Sequence, residues 1–495
     1  MSARKAEVGG ARQPPDPNRD RLLVGASVAV LVGLAFALGS APAYAAAALG
    51  GLVFLAIMLT EPRIAFFLML FSLTGWPYYV GIDIGRDIPL PIVLFVIAAL
   101  WGMTLLRQLL RVEAPLPRDD RVRDVDLTVA LLFAALVVSI LLGGQLQKGF
   151  QSLLRVAVVP SVIYLVSRHF IRTPARARAA LDILLVGAII GGSYAIYEWF
   201  LGRNPMLEHF APPEGDMAQH GYWTATQAAG GIVLYRSHGF GLNPIFFGTT
   251  LSMLMIHAAV RLATATRRRA RIVFGVATLV SAAGLLVTFS RGPILACGGG
   301  LAICAWSYPS LRKYVLAVLL AAAAYAGYDL LREGSVLAER IRETDNITLR
   351  FKLWQTAFAM FTDRPLFGVG LGQFPEHQLE TIRRHGIGPF FEMGDGRLET
   401  VKTAEHGVLQ FLAETGLVGG VAALMLMVAV ARVYLPAVFT RMSEPERALA
   451  VTAGTGLVVF LLVGFTVTIY NSWEAACLVP VMLAVLCVVR KGRTR

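Results

Sequence analysis

Apolar runs, each close to the ~20 residues that carry an α-helix across a bilayer, recur along almost the whole chain and leave few folds open to it. They fall near 22–39, 43–60, 64–80, 88–106, 126–143, 149–167, 179–201, 243–260, 272–289, 292–307, 314–328, 406–431, 449–469 and 473–489. Inside a bilayer every backbone N–H and C=O must find a partner within the protein, so such runs fold as helices. Only 16% of the 495 residues are charged and 56% are hydrophobic, against roughly 25% charged in soluble chains. The expectation is an all-α polytopic membrane protein with about 14 transmembrane helices. The pairs at 22–60 and 272–307 have the shortest connectors.

Basic residues are retained on the cytoplasmic side of short loops. Counting the spans from an inside N-terminus, Lys and Arg cluster at 4–21, 107–123, 168–178, 261–271, 312–313, 432–447 and 490–495, whereas the short outer loops hold only Arg86, Lys148 and Arg291. That asymmetry predicts both termini in the cytoplasm and both long loops, 202–242 and 329–405, outside. The net charge of +13 is then topology. It points to anionic lipid headgroups as partners, and nucleic acid is not expected. Cys297, Cys304, Cys477 and Cys487 lie in apolar runs and read as small buried hydrophobes, with no metal or cofactor implied.

The chain divides into a polar cytoplasmic tail (1–21), N-terminal membrane helices (22–107), a membrane core with an outer loop at 202–242 (108–328), a large outer lid (329–405), C-terminal membrane helices (406–490) and a short cytoplasmic tail (491–495). Within the lid, 336–361 repeats its apolar residues at helical spacing, which predicts amphipathic helix. The R-D-V-D run at 123–126 has the form of a metal-holding D-x-D. It sits on the inner side with no nucleotide-binding domain around it, and reads as a solvated boundary. G-V-G-L-G at 368–372 follows no strand and is weak evidence for a dinucleotide site.

Several charges lie where charge is costly. Lys148 and Arg155 share a face of the sixth span, Glu198 ends the seventh, Arg236 stands just before the eighth, and Arg291 is the only charge in the outer turn 288–293. Outside a bacterial cell membrane there is no ATP, so synthesis there needs a donor activated beforehand, such as a glycan on a lipid diphosphate. Its leaving group needs cationic stabilisation, which arginine supplies by gripping phosphate oxygens in pairs. The acceptor hydroxyl needs a base. His406 opens an apolar helix, where the positive N-terminal field favours the neutral ring; Gln410 and Glu414 follow at i+4 and i+8 on about the same face.

R-S-H-G-F-G-L-N-P (236–244), S-R-G (290–292), R-F-K-L-W-Q-T-A-F-A-M-F-T-D-R-P-L-F-G-V-G-L-G-Q-F (350–374) and E-H-G-V-L-Q-F-L-A-E-T-G-L-V-G (405–419) together resemble the O-antigen ligase and O-antigen polymerase superfamily of bacterial polysaccharide-assembling membrane glycosyltransferases. The resemblance covers about 145–490. It implies a membrane glycosyltransferase (GT-C-like) fold in the inner membrane with the active site facing the periplasm. It also implies an undecaprenyl-diphosphate-linked oligosaccharide donor, a glycan or lipid A core acceptor, metal-independent inverting transfer without a cofactor, and a chain-length regulator and flippase of the same pathway as partners. The family's two outer arginines and its histidine fall on Arg236, Arg291 and His406. Arg350 and Trp354 are expected to shape the lid or touch glycan, and Lys148, Arg155, Gln410 and Glu414 to line the substrate site. Two departures stand out: about two extra spans, and a longer lid insert at 375–404. The leading expectation is a polysaccharide polymerase, with an O-antigen ligase and a non-catalytic transporter of lipid-linked glycan as alternatives.

Overall fold

A computed structural model describes residues 57, 60–79, 81–83, 89–91, 102, 120–143, 146–210, 225–227, 233–316, 320, 324, 327, 331, 345–388, 401, 403–439 and 442–489. The expected spans at 22–39 and 43–60, most of those at 88–106 and 314–328, and the lid insert beyond 388 lie almost wholly outside these residues. In chain order the elements are α1 (Pro62–Gly75), β1 (Gly81–Asp83), β2 (Pro89–Pro91), α2 (Asp120–Leu142), α3 (Leu146–Leu153), α4 (Val159–Phe170), α5 (Pro174–Leu201), α6 (Pro205–Phe210), β3 (Ala225–Gln227), β4 (Val233–Tyr235), α7 (Pro244–Thr264), α8 (Arg268–Val287) and α9 (Arg291–Ser307). Then come α10 (Asp345–Asp363), α11 (Phe374–His385), α12 (Gly407–Phe439), α13 (Glu444–Gly464), α14 (Trp473–Ala476) and α15 (Leu478–Leu486).

Six of these helices are long and apolar enough to cross a membrane, lying at 124–142 and in α5, α7, α8, α12 and α13. The fold is helical, as expected, with one small correction. Two antiparallel hairpins, β1–β2 and β3–β4, pair three residues each.

The helix starts are written locally. Pro174 and Pro244 each stand at the first helical position, where their fixed φ suits the helix and no N–H is missed. Before them, Thr173 accepts from the Arg176 N–H at 3.3 Å and Asn243 from the Ile245 N–H at 2.8 Å. Gly202 closes α5 at φ 65°, a conformation glycine adopts freely.

α3 and α4 form one rod joined by a π-helical turn, Leu154–Val158, in which the Val159 N–H reaches back to the Leu154 carbonyl. Pro160 explains the widening: it has no N–H, and its ring crowds the carbonyl four residues back.

α7 is the central rod and packs against α5, α8, α9 and α13. α5 and α8 meet at glycines: a Cβ on Gly284 would lie 3.0 Å from the Gly192 Cα, so backbone approaches backbone as small residues allow in membranes. The outer faces are apolar, with Ile272, Val273, Val276 and Leu279 on α8 and Val421, Leu424 and Val428 on α12 all exposed. A soluble protein rarely leaves so much apolar surface to water, and lipid is its natural neighbour. The structure is that of a multi-pass helical membrane protein.

Short connectors sort the helix ends. One end gathers the start of α7, the close of α8, the start of α9, the start of α12 and the close of α13. The opposite end gathers Arg168, Arg172, Arg176, Arg178, Arg261, Arg267, Arg268, Arg269, Arg271, Arg312 and Arg447. α10, with α11 behind it, packs on α12 at the first end, over a separate cluster of Ala357, Met360, Val369, Phe374, Ala404 and Ala413. α10 realises the amphipathic helix expected at 336–361 from Asp345 onward.

Candidate active site

Two buried carboxylates hold the loop that carries Arg236. Glu198, fully buried at the close of α5, accepts from the Tyr235 hydroxyl at 2.8 Å, the His238 N–H at 3.0 Å and the Gly239 N–H at 2.8 Å. Glu474, at the start of α14, accepts from the Leu242 N–H at 2.6 Å. Clamped at both ends, the loop lays Arg236 along the last turn of α8. Its Nε donates to the Thr288 carbonyl at 3.1 Å and its Nη2 to Ser290 Oγ at 3.1 Å.

Ser290 precedes Arg291, the exposed first residue of α9. Beyond it, a Cβ on Gly292 would lie 2.5 Å from Thr466 Oγ1, so α9 starts hard against the turn that follows α13. His406 meets the same turn. Its ring meets Phe465 edge-on at 5.7 Å and Trp354 edge-on at 5.2 Å, and a Cβ on Gly407 would lie 3.0 Å from the Gly464 carbonyl. Contacts therefore lead from Arg236 to Ser290, and from Gly292, two residues further along the chain, to the 464–467 turn and on to His406.

Backbone strain marks the same places. Among the described residues, the non-glycine positions with positive φ are Phe289 (47°) and Glu405 (52°). Such conformations cost about 1–3 kcal/mol each and cluster at functional sites. Phe289 stands two residues before Arg291 and Glu405 immediately before His406. Glu405 is tied down by Thr403 Oγ1 at 3.0 Å and by Arg350, 3.8 Å away. Burial pushes its carboxyl above the usual range, with Arg350 and Thr403 opposing.

His406 is half-buried, and that burial pushes its imidazole below the usual histidine value. The ring is then neutral at neutral pH. Nδ1 accepts from the Leu409 N–H at 3.3 Å, capping the first turn of α12. With Nδ1 occupied the proton of the neutral ring sits on Nε2.

Gln410 and Glu414 share one face, as their spacing predicts, but they serve the protein's interior. Gln410 Oε1 accepts from the Ala404 N–H and the Thr468 hydroxyl, both at 2.8 Å, and its Nε2 donates to Glu414 Oε1 at 2.9 Å. Glu414 Oε2 takes the Tyr470 hydroxyl at 3.0 Å. Both side chains are buried and bonded within the protein. They fasten the start of α12 to the 468–470 turn behind His406.

α12 is interrupted, where an unbroken span was expected. Gly416 has φ 63° and ψ −161°, which splits it into a half-helix ending near Thr415 and a second helix beyond. The lid's glycine run fills the break. Val369 and Gly370 donate to the Ala413 and Glu414 carbonyls at 2.9 and 3.0 Å, and Leu417 and Val418 donate back to Pro365 and Leu366 at 2.8 and 3.1 Å. G-V-G-L-G is thus a packing element, with Gly368, Gly370 and Gly372 at positive φ.

The other expected residues scatter. Arg155 occupies the π-helical turn with its guanidinium 5.4 Å from the Trp473 ring centroid. Arg350 supports Glu405 from α10, and Trp354, on the same helix, covers His406. The Trp354 Nε1 is buried with no hydrogen-bond partner. Lys148 lies on α3, and its side chain is outside the described residues. The D-x-D run is structural: Asp126 pairs with Arg168 at 3.3 Å and bonds Tyr164, while Asp124 faces Arg432 at 3.7 Å.

Glu198, Glu474, Thr468 and Tyr470 were missed as site-builders. A lone carboxylate ending a long apolar helix is a signal for Glu198, since membrane charges seldom lack a task. The other three carry none.

Residues 276–424 match the family described as O-antigen ligase. This stretch of the chain is similar to that family and supports membership in the O-antigen ligase and polymerase superfamily. Among curated proteins none matches it. The matched stretch takes in Arg291, Arg350, Trp354, His406, Gln410, Glu414 and the break at Gly416, while Arg236 and Arg155 lie before it. The match supports, at this coarse level, an enzyme of the O-antigen ligase or polymerase kind, acting on lipid-linked glycan and an acceptor in a membrane.

Proposed function

We propose that the protein is a polysaccharide polymerase that moves a glycan from undecaprenyl diphosphate onto an acceptor sugar hydroxyl at the periplasmic face of the inner membrane, by metal-independent inverting displacement. The acceptor oxygen attacks the anomeric carbon, its proton passes to His406, and the sugar–phosphate C–O bond breaks with its electrons going to the diphosphate. Arg236 and Arg291 hold that leaving group. Their charge matters most as the bond breaks, when negative charge gathers on the bridging oxygen.

The observation that supports this reading is the run of contacts from Arg236 to Ser290 and from Gly292 to the 464–467 turn and His406, with Arg291 lying in the chain between Ser290 and Gly292 and with strained Phe289 and Glu405 nearby. The arginine-rich opposite end supports the orientation, since basic residues favour the cytoplasmic side.

The experiment is transfer by purified protein supplied with a defined lipid-linked oligosaccharide. His406→Ala should lower turnover by about 10²–10⁴-fold, the typical contribution of general base catalysis, while purifying as a folded protein. Near-normal turnover would defeat the base assignment. The description of the matched family favours a second reading, ligation of the finished glycan to lipid A core. Loss of the protein leaves single repeat units if it polymerises and long lipid-linked chains if it ligates.

A further inference from the structure

At the end of the bundle opposite His406, α5, α7, α8 and α13 border a half-open cavity of about 270 Å³ lined by Arg178, His257, Arg261, Arg267, Phe274 and Glu444 among others. It approaches the roughly 300–1,000 Å³ range of ligand pockets, and no step of the proposed transfer uses it.

Its polar groups are incompletely matched. His257 is only 1% exposed; its Nε2 lies 2.8 Å from Asp182 Oδ1, and Nδ1 is buried with no partner. Asp182 is also engaged by Arg261, whose Nη1 lies 3.0 and 2.9 Å from its two oxygens. Arg178 Nε is likewise buried without a partner. Unmatched buried polar groups are rare and call for an explanation.

The surroundings favour an anion. Three guanidinium groups face Asp182, whose charge is shared by Arg261 and His257, and Glu444, which lies beside Tyr308. α8 begins at the cavity with no side-chain N-cap bond and no acidic residue in its first turn, so its positive helix end points the same way, whereas the start of α13 is already faced by Glu444 and Glu446.

We propose that this cavity binds the headgroup of a hydroxyl-bearing anionic phospholipid, with the phosphodiester held by Arg178 and Arg267 and a headgroup hydroxyl donating to His257 Nδ1. A carboxylate only accepts, so Asp182 places the imidazole proton on Nε2 and leaves Nδ1 as an acceptor. A glycerol headgroup satisfies both demands, whereas an ammonium headgroup would add a cation among three guanidinium groups. Lipid is favoured over free phosphate because α8, which lines the cavity with Phe274, turns Val273, Val276 and Leu279 outward, a path for an acyl chain.

The test is native mass spectrometry of the purified full-length protein with dioleoylphosphatidylglycerol, dioleoylphosphatidylcholine or inorganic phosphate. Retention of phosphatidylglycerol at least tenfold above phosphatidylcholine is expected, surviving millimolar phosphate. R178Q and R267Q should each reduce that retention about tenfold without shifting the thermal midpoint. Arg267 is exposed at a helix start, so R267Q decides the matter if R178Q does not fold. Equal retention of the two lipids, undiminished retention in R267Q, or displacement by inorganic phosphate would each overturn the proposal. None of these readouts depends on glycan transfer.

Discussion

Replacing Gly416 by alanine has opposite consequences for a continuous helix and for the interrupted one. In an unbroken span, Gly→Ala would stabilise by about 0.8–1 kcal/mol, the difference in helix propensity. In this structure Gly416 sits at φ 63° and ψ −161°, a region essentially closed to other residues and costing about 1–3 kcal/mol. A Cβ there would lie 2.5 Å from the Leu366 carbonyl carbon and oxygen and 2.6 Å from the Phe367 nitrogen. Those are backbone atoms whose neighbours bond across the break, so they cannot swing aside, and overpacking of this kind adds about 1–3 kcal/mol. The sum is a loss of about 2–6 kcal/mol. At roughly 2 °C per kcal/mol for a large chain, the thermal midpoint of purified protein in detergent should fall by about 4–12 °C. An unchanged or raised midpoint for G416A would refute the break and the seating of 365–370 against it.

Because burial lowers the His406 pKa, and a base works only when deprotonated, activity should persist as pH falls past histidine's ordinary value near 6.5 and decline below it; kcat/KM against pH checks this. Trp354→Ala opens the ring to solvent, so that acidic limb should move up toward 6.5 while kcat falls. Glu198→Leu strands the His238 and Gly239 N–H groups in a buried site, at about 1–3 kcal/mol each. The thermal midpoint should drop, and in protein that still folds the KM for lipid-linked donor should rise as Arg236 loses its support. Tyr470→Phe removes one bond to the buried Glu414 carboxylate, worth about 1.5–3 kcal/mol, with a smaller drop in midpoint and little change in the pH profile.

Much of the bundle was legible because membrane insertion depends on a local property. A run of about 20 apolar residues has few alternatives to helix in lipid, and the described spans in α5, α7, α8, α12 and α13 lie within the runs read from the sequence or overlap them. Gln410 and Glu414 were legible as neighbours because i and i+4 share a helix face. Arg236, Arg291 and His406 stood out as polar residues at the same expected boundary, although spacing alone says nothing of their mutual contacts.

Tertiary structure decided what depends on partners distant in sequence. An isolated glycine in an apolar span reads as a minor flaw in a helix. Gly416 instead breaks one, because the 365–370 segment, some fifty residues earlier, supplies the donors and acceptors that the break exposes. Glu198 read only as a costly charge at a helix end, and the loop 40 residues on delivers the N–H groups that match it. Asp126 read as part of a solvated boundary, whereas Arg168 and Tyr164 claim it in the fold. Local sequence specifies where helices can form; the hydrogen bonds that bend one, bury a charge or aim a side chain belong to segments brought together only by packing.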